Sequence, residues 1–113
     1  MNIRFGNISE IEKFPLFSGD NQGDDVVIAE ADGKIVGYMQ LTEGQSDATI
    51  YFMESTVKGT GTALIEWLKG RVSYIVANNA VESAVGFYSK LGFTKSSFGT
   101  GYADQICMEW AED

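Results

Sequence analysis

Residues 56–68 read TVKGTGTALIEWL, and the chain's architecture turns on how this stretch is understood. Gly59 and Gly61 stand directly before an apolar run with helical spacing: Ala63, Leu64, Trp67 and Leu68. Glycine interrupts helices, and a helix start normally carries a capping Ser, Thr, Asp or Asn. Two readings are open. Either the glycines make a tight turn, or they keep side chains away from a place where an anion approaches the backbone. The first amides of a helix have no internal partner and point outward, and the helix dipole favours negative charge there. Gly70 is placed to end the helix, with Lys69 and Arg71 near the negative end of its dipole.

The flanking segments give this helix a frame. ATIYFM (48–53) precedes it and RVSYIVA (71–77) follows it, both strand-like. Upstream, VVIAE (26–30) and KIVGYMQLT (34–42) are joined through Ala31, Asp32 and Gly33, and Asp-Gly between two such runs is a hairpin signal. Ile3–Phe5 reads as a short first strand, SEIEKF (9–14) as a short helix stopped near Pro15, and SGDNQGDD (18–25) as loop. Downstream, AVESAVGFYSKL (80–91) is predicted helical, with Val81, Ala84, Val85 and Tyr88 on one stripe. Gly86 weakens that helix and Gly92 suits its end. FTKSSF (93–98) and QICMEWA (105–111) complete the chain as antiparallel strands. Hairpins first and crossover helices later predict an α/β fold with a mixed sheet and helices packed on its faces.

Composition narrows the chemistry. The 113 residues show no repeat and predict one domain, 1–113, with 44% hydrophobic content for a core. No apolar run reaches the roughly 20 residues of a membrane span, and the first residues lack a signal-peptide layout, so a cytoplasmic protein is expected. There is no histidine and only one cysteine, Cys107. Histidine-based triads, intrachain disulfides and the usual zinc sites are therefore excluded, and no metal is expected. Sixteen acidic against eight basic residues give a net charge of −8. That balance disfavours nucleic acid and favours cationic partners.

Neither the phosphate-loop pattern nor the dinucleotide pattern fits the glycine stretch, since Leu64 stands where the latter needs its last glycine. Thr56-Val57-Lys58-Gly59-Thr60-Gly61 resembles the acyl-CoA signature of the GNAT superfamily of N-acetyltransferases, [QR]-x-x-G-x-[GA], with Thr56 replacing the first residue. AVGFYSKLGF (84–93) is similar to the family's A-x-x-x-Y-x-x-x-G-F segment through Ala84, Tyr88, Gly92 and Phe93. The likeness spans residues 24–110. It departs from the family at Val81, where Asn is frequent, and in the short region before the second strand.

The resemblance implies a GNAT-like fold, a twisted mixed sheet splayed between its fourth and fifth strands, with acetyl-CoA as co-substrate in the cleft. It implies that amides of Lys58, Gly59, Thr60, Gly61 and Thr62 hold the coenzyme diphosphate, with Lys58 supplying charge in place of the missing basic residue. Backbone groups of Tyr51, Phe52 and Met53 would meet the thioester arm, and Asn79 (or Asn78) the pantetheine. Tyr88 matches the family's general acid at the leaving thiolate. A phenol near pKa 10 is a weaker acid than a thiol near 8.5, so its hydrogen bond matters more than early proton transfer. Glu54 is the nearest candidate for the amine's proton acceptor, with Glu43 and Asp47 more remote, and a water chain is an alternative. The expected activity is acetyl transfer to a primary amine, the acceptor being cationic. A non-catalytic acyl-CoA-binding module is the alternative, and a homodimer is left open.

Overall fold

The computed structural model describes residues 1–17, 19, 23–80, 82–96 and 106–112. Seven strands form one sheet: β1 (Asn2–Gly6), β2 (Asp25–Ala31), β3 (Lys34–Glu43), β4 (Asp47–Ser55), β5 (Tyr74–Ala80), β6 (Thr94–Lys95) and β7 (Ile106–Ala111). Their spatial order is β1-β2-β3-β4-β5-β7-β6. All neighbours are antiparallel except β4 and β5, which run parallel. Helix α1 (Thr60–Lys69) makes the crossover that a parallel pair requires. Helix α2 (Val85–Lys90) follows β5.

The β2–β3 hairpin turns on Asp32 at φ 53° and Gly33 at φ 77°, the two positive dihedrals anticipated for Asp-Gly. Alternation along the strands then sorts side chains to two faces. On one face Leu64, Ile65 and Leu68 of α1 and Tyr88 of α2 pack with Val27, Ala29, Met39, Leu41, Ala48, Ile50, Ile75 and Met108. Each fully buried aliphatic side chain here contributes about 1.5–3 kcal/mol. On the other face Ile11, Val26, Ile28 and Tyr38 form a smaller cluster with Phe14, Phe17 and Phe52 against it. Both α-helices thus share one face, and among the described residues the opposite face is covered by the N-terminal segment.

Three elements are shorter than the sequence suggests. SEIEKF yields one 3-10 turn, Ile8–Glu10, followed by successive turns to Phe17. Six residues before a proline are too few to repay helix nucleation, and Glu10 is drawn back to the Asn7 amide and to Arg4. β5 starts three residues later than expected and runs on to Ala80, whose pairing with Ile106 keeps it extended. The helix predicted from residue 80 therefore becomes a 3-10 turn, Glu82–Ala84, and the six-residue α2. Val81 lies outside the described residues, as do positions 97 and 98 of the FTKSSF segment.

Candidate active site

β4 and β5 pair from Asp47↔Tyr74 to Ile50↔Ala77 and no further, although β4 continues to Ser55. The sheet opens at that point. Both strands are irregular at the same height. In β4, Tyr51 is an extra residue, because Gln40 faces Phe52 while Leu41 faces Ile50. In β5 the register against β7 shifts between Ala77 and Ala80. Bulges of this kind turn strands apart and re-aim their backbone groups. The β5-side edge of β4 from Tyr51 to Ser55 has no strand pairing among the described residues, so its outward peptide groups are free for a ligand.

Beyond the opening lies a cavity of about 670 Å³, lined by Met53, Ser55, Lys58, Gly59, Gly61, Thr62, Gly86, Phe87 and Lys90. Gly59 occupies the N-cap of α1 at φ 91°, a left-handed conformation that side chains resist, with nothing within 4 Å of where a Cβ would stand. At Gly61 a Cβ would meet the Phe87 ring at 3.1 Å. Among the described residues, no carbonyl or side chain accepts from the amides of Gly61 and Thr62, while the Thr60 amide donates to Val57 O at 3.2 Å. Lys58 and Lys90 stand on either side, and no carboxylate is in the lining. The fit to a diphosphate is thus a local one: free amides, missing side chains and positive charge in a chain of net charge −8.

Thr60 departs from the expected coenzyme contacts. Its side chain is fully buried and its Cγ2 sits where a Cβ on Gly37 would be, 2.6 Å away. The loop thus faces the cavity on both sides of Thr60 but not at Thr60 itself, whose methyl packs the helix start against Gly37 of β3 while its amide turns back to Val57. Met53 lines the cavity and packs against the main core, whereas Phe52 turns to the opposite face. Asn79 lies in the backbone of β5, and its side chain lies outside the described residues.

Tyr88 is buried in the main core between Phe87 and Phe93, with ring centroids 5.1 and 5.2 Å away. Burial pushes its phenol up to about pKa 12, so it holds its proton throughout the neutral range. No described residue hydrogen-bonds its hydroxyl, which leaves that donor uncommitted.

Glu54 stands apart from the cavity. It follows Met53 on the alternate face, buried, and both oxygens are engaged: Oε1 accepts from the Tyr38 hydroxyl at 2.9 Å and Oε2 from the Leu16 amide at 3.1 Å. The expected proton acceptor is therefore a clamp holding the N-terminal segment on the sheet. Glu43 is likewise occupied, by the Arg71 guanidinium at 2.8 Å through both oxygens, which holds its carboxyl below the usual range.

Ser55, Gly86, Phe87 and Lys90 line the cavity without having been anticipated from sequence. A signal was present for three of them: Gly86 and Lys90, and Phe87 and Lys90, are spaced to share one helix face. Among the described residues no group of three His, Cys, Asp or Glu side chains could hold a metal ion, and no helix is long and apolar enough to cross a membrane.

A mixed sheet parted between parallel strands, with an acid-free cavity at the following helix start, defines an acyl-CoA-dependent N-acyltransferase. Residues 22–95 match the acetyltransferase (GNAT) domain family, more than half of the chain, and the chain belongs to that family. It is an acetyltransferase that uses acetyl-CoA. No curated protein matches it in sequence. Among solved structures the fold is similar to Ard1 from Thermoplasma volcanium, with TM-score 0.61 and 16% identity over 78% of this chain and 70% of that one. It is similar to the PaiA N-acetyltransferase from Thermoplasma acidophilum in complex with coenzyme A, with TM-score 0.58 and 21% identity over 76% of this chain and 59% of that one. The aminoglycoside 6′-N-acetyltransferase from Enterococcus faecium gives TM-score 0.59 and 16% identity over 77% of this chain and 73% of that one. At these identities the likeness is one of fold.

Proposed function

We propose that the chain transfers acetyl from acetyl-CoA directly to the primary amine of a cationic acceptor, with Tyr88 as the proton-holding group at the leaving sulfur. The observation that carries this reading is the coincidence of the β4–β5 opening, which begins beyond Ile50 and Ala77, with the amides of Gly61 and Thr62, unbonded among the described residues. Bound acetyl-CoA supplies the acyl group as an activated thioester. Gly59, Gly61 and Thr62 offer backbone donors to its diphosphate, with Lys58 adding charge. The free edge of β4 from Tyr51 to Met53 offers peptide donors to the thioester arm, where oxygen gains negative charge in the transition state. Tyr88, neutral and without another partner among the described residues, donates a hydrogen bond to the departing sulfur.

Amine deprotonation falls to water in this reading, because Glu54 is committed to Tyr38 and Leu16. The net charge of −8 supports a cationic acceptor and gives no attraction to nucleic acid. With a single cysteine the fold depends on no intrachain disulfide, which suits a cytoplasmic setting. The test is thiol release from acetyl-CoA over a panel of amines: polyamines, aminoglycosides and lysine peptides. Turnover on cationic amines above neutral ones is expected. Coenzyme binding without turnover on any amine would assign the chain to non-catalytic carriage instead.

A further inference from the structure

Three aromatic rings run in series from the cavity into the core. Phe87 is half-buried and lines the cavity, while Tyr88 and Phe93 behind it are buried. Ring centroids lie 5.1 Å apart from Phe87 to Tyr88, at an interplanar angle of 72°, and 5.2 Å apart from Tyr88 to Phe93, at 55°. Lys69 closes the far end, its ammonium 5.9 Å from the Phe93 centroid. At the near end Phe87 stands against the start of α1, where a Cβ on Gly61 would meet its Cζ at 3.1 Å and its Cε1 at 3.4 Å. Of the two rings that flank Tyr88, Phe87 alone lines the cavity. No described residue hydrogen-bonds the Tyr88 hydroxyl, so among the described residues its direction is set by packing. Close-packed side chains pass small displacements on to their neighbours. Phe87 therefore touches both the glycine whose amide faces the cavity and the ring that carries the donor.

We propose that Phe87 is a positioning residue that acts through Tyr88. Its ring bears on one side against the ligand held at the Gly61 and Thr62 amides, and on the other against Tyr88, whose phenol it keeps in line for the sulfur. Occupancy at the diphosphate end of the cavity is thereby felt at the donor that serves the thioester end. This rests on the glycine-loop and Tyr88 readings given under Proposed function. Phe93, buried and held on its far side by Lys69, is the fixed wall of the stack, and Phe87 is the wall that the ligand meets.

The experiment uses adenosine diphosphate, which carries a diphosphate but no thiol arm and so fills the Gly61 end without reaching Tyr88. Tyrosine ring resonances of the full chain are followed by NMR, with Tyr88 assigned through Tyr88→Phe. Adenosine diphosphate is expected to shift the Tyr88 signal of the natural chain. In Phe87→Leu the nucleotide should still bind, within about fivefold of the natural affinity, and the Tyr88 signal should no longer move. Phe87→Leu should also lower kcat by about tenfold while KM for the amine holds. In a Tyr88→Phe background the same substitution should cost less than about twofold, because the group it positions is already gone. A merely structural role predicts the full loss there as well. The proposal is overturned if the bound nucleotide leaves the Tyr88 signal of the natural chain unmoved, or if the two losses multiply. Failure of the nucleotide to bind brings down the glycine-loop reading and this role with it. Undiminished turnover in Tyr88→Phe brings down the Tyr88 reading and this role with it. The nucleotide titration decides even for a chain that turns over no amine.

Discussion

A Cβ built on Gly61 would lie 3.1 Å from Cζ of Phe87 and 3.8 Å from Cε of Met53. The start of α1 therefore touches a ring on α2 and a side chain on β4 across the mouth of the cavity, and hydrogen at that position keeps the mouth open. Gly61→Ala gains about 1 kcal/mol of helix propensity and gives part of it back by displacing Phe87. Stability should change little, while coenzyme A affinity falls. Gly61→Val, with two more carbons, should weaken coenzyme binding by about tenfold or more. Calorimetry with coenzyme A, beside a denaturant melt, measures the two effects separately.

Tyr88 makes two predictions that share a cause. Its phenol is held up at about pKa 12 by burial, so the neutral form is favoured in the folded chain. A group whose folded value exceeds its unfolded value near 10 contributes stability that is whole below pH 10 and is lost as pH rises through 12. Between those limits the natural chain should lose about 2–3 kcal/mol relative to Tyr88→Phe. Urea melts of both proteins from pH 9 to 12 decide it. At neutral pH Tyr88→Phe keeps the ring and loses the donor, so kcat should fall by about tenfold or more while coenzyme A affinity holds. Undiminished turnover would remove Tyr88 from the chemistry.

What was legible in the sequence follows from how local each signal is. The Asp32-Gly33 turn, the stop of α1 at Gly70 and the strand runs of β2 to β4 are set by residues within a few positions of one another, and all three stand in the structure. The cavity was half legible. Gly59 and Gly61 announce it because their cause, a close backbone approach, leaves a mark at the position itself. Phe87 and Lys90 do not, because their place depends on where α2 begins, and that is fixed by the pairing of Ala80 with Ile106 on a distant strand. Thr60 and Glu54 are placed otherwise than their chain positions suggest for the same reason. Chain position put each beside the cavity, but Thr60 is turned inward by contact with Gly37 and Glu54 is claimed by Tyr38 and Leu16.

The clamp at Glu54 has consequences of its own. Burial and the Glu54 carboxylate hold the Tyr38 phenol protonated far above its ordinary range, and Tyr38 is fully buried against Phe14, Phe17 and Phe52. Glu54→Ala would strand that hydroxyl and the Leu16 amide together, at a cost of about 2–3 kcal/mol. Limited proteolysis should then cut first within residues 8–17. Glu54→Gln keeps one acceptor oxygen and should retain the fold and kcat within about threefold, since the group serves as an anchor. A loss near a hundredfold in Glu54→Gln, with its acidic pH limb flattened, would restore Glu54 as the proton acceptor.

The last prediction concerns Thr60, where the chain carries a cost. Its Oγ1 is buried without a hydrogen-bond partner among the described residues, and a buried hydroxyl left unpaired costs on the order of 1–3 kcal/mol. Its methyl, by contrast, fits against Gly37. Valine has nearly the same shape and replaces the stranded hydroxyl with a second methyl. At the first turn of α1 the small helix penalty of a β-branched residue is already present in threonine. Thr60→Val should therefore stabilise the protein by about 1 kcal/mol, which for a domain of this size raises Tm by about 4 °C. Because the side chain faces β3 and the amide stays bonded to Val57, coenzyme A affinity should not change. A fall in Tm would mean that the hydroxyl has a partner, such as a buried water, and a fall in affinity would mean that Thr60 belongs to the cavity.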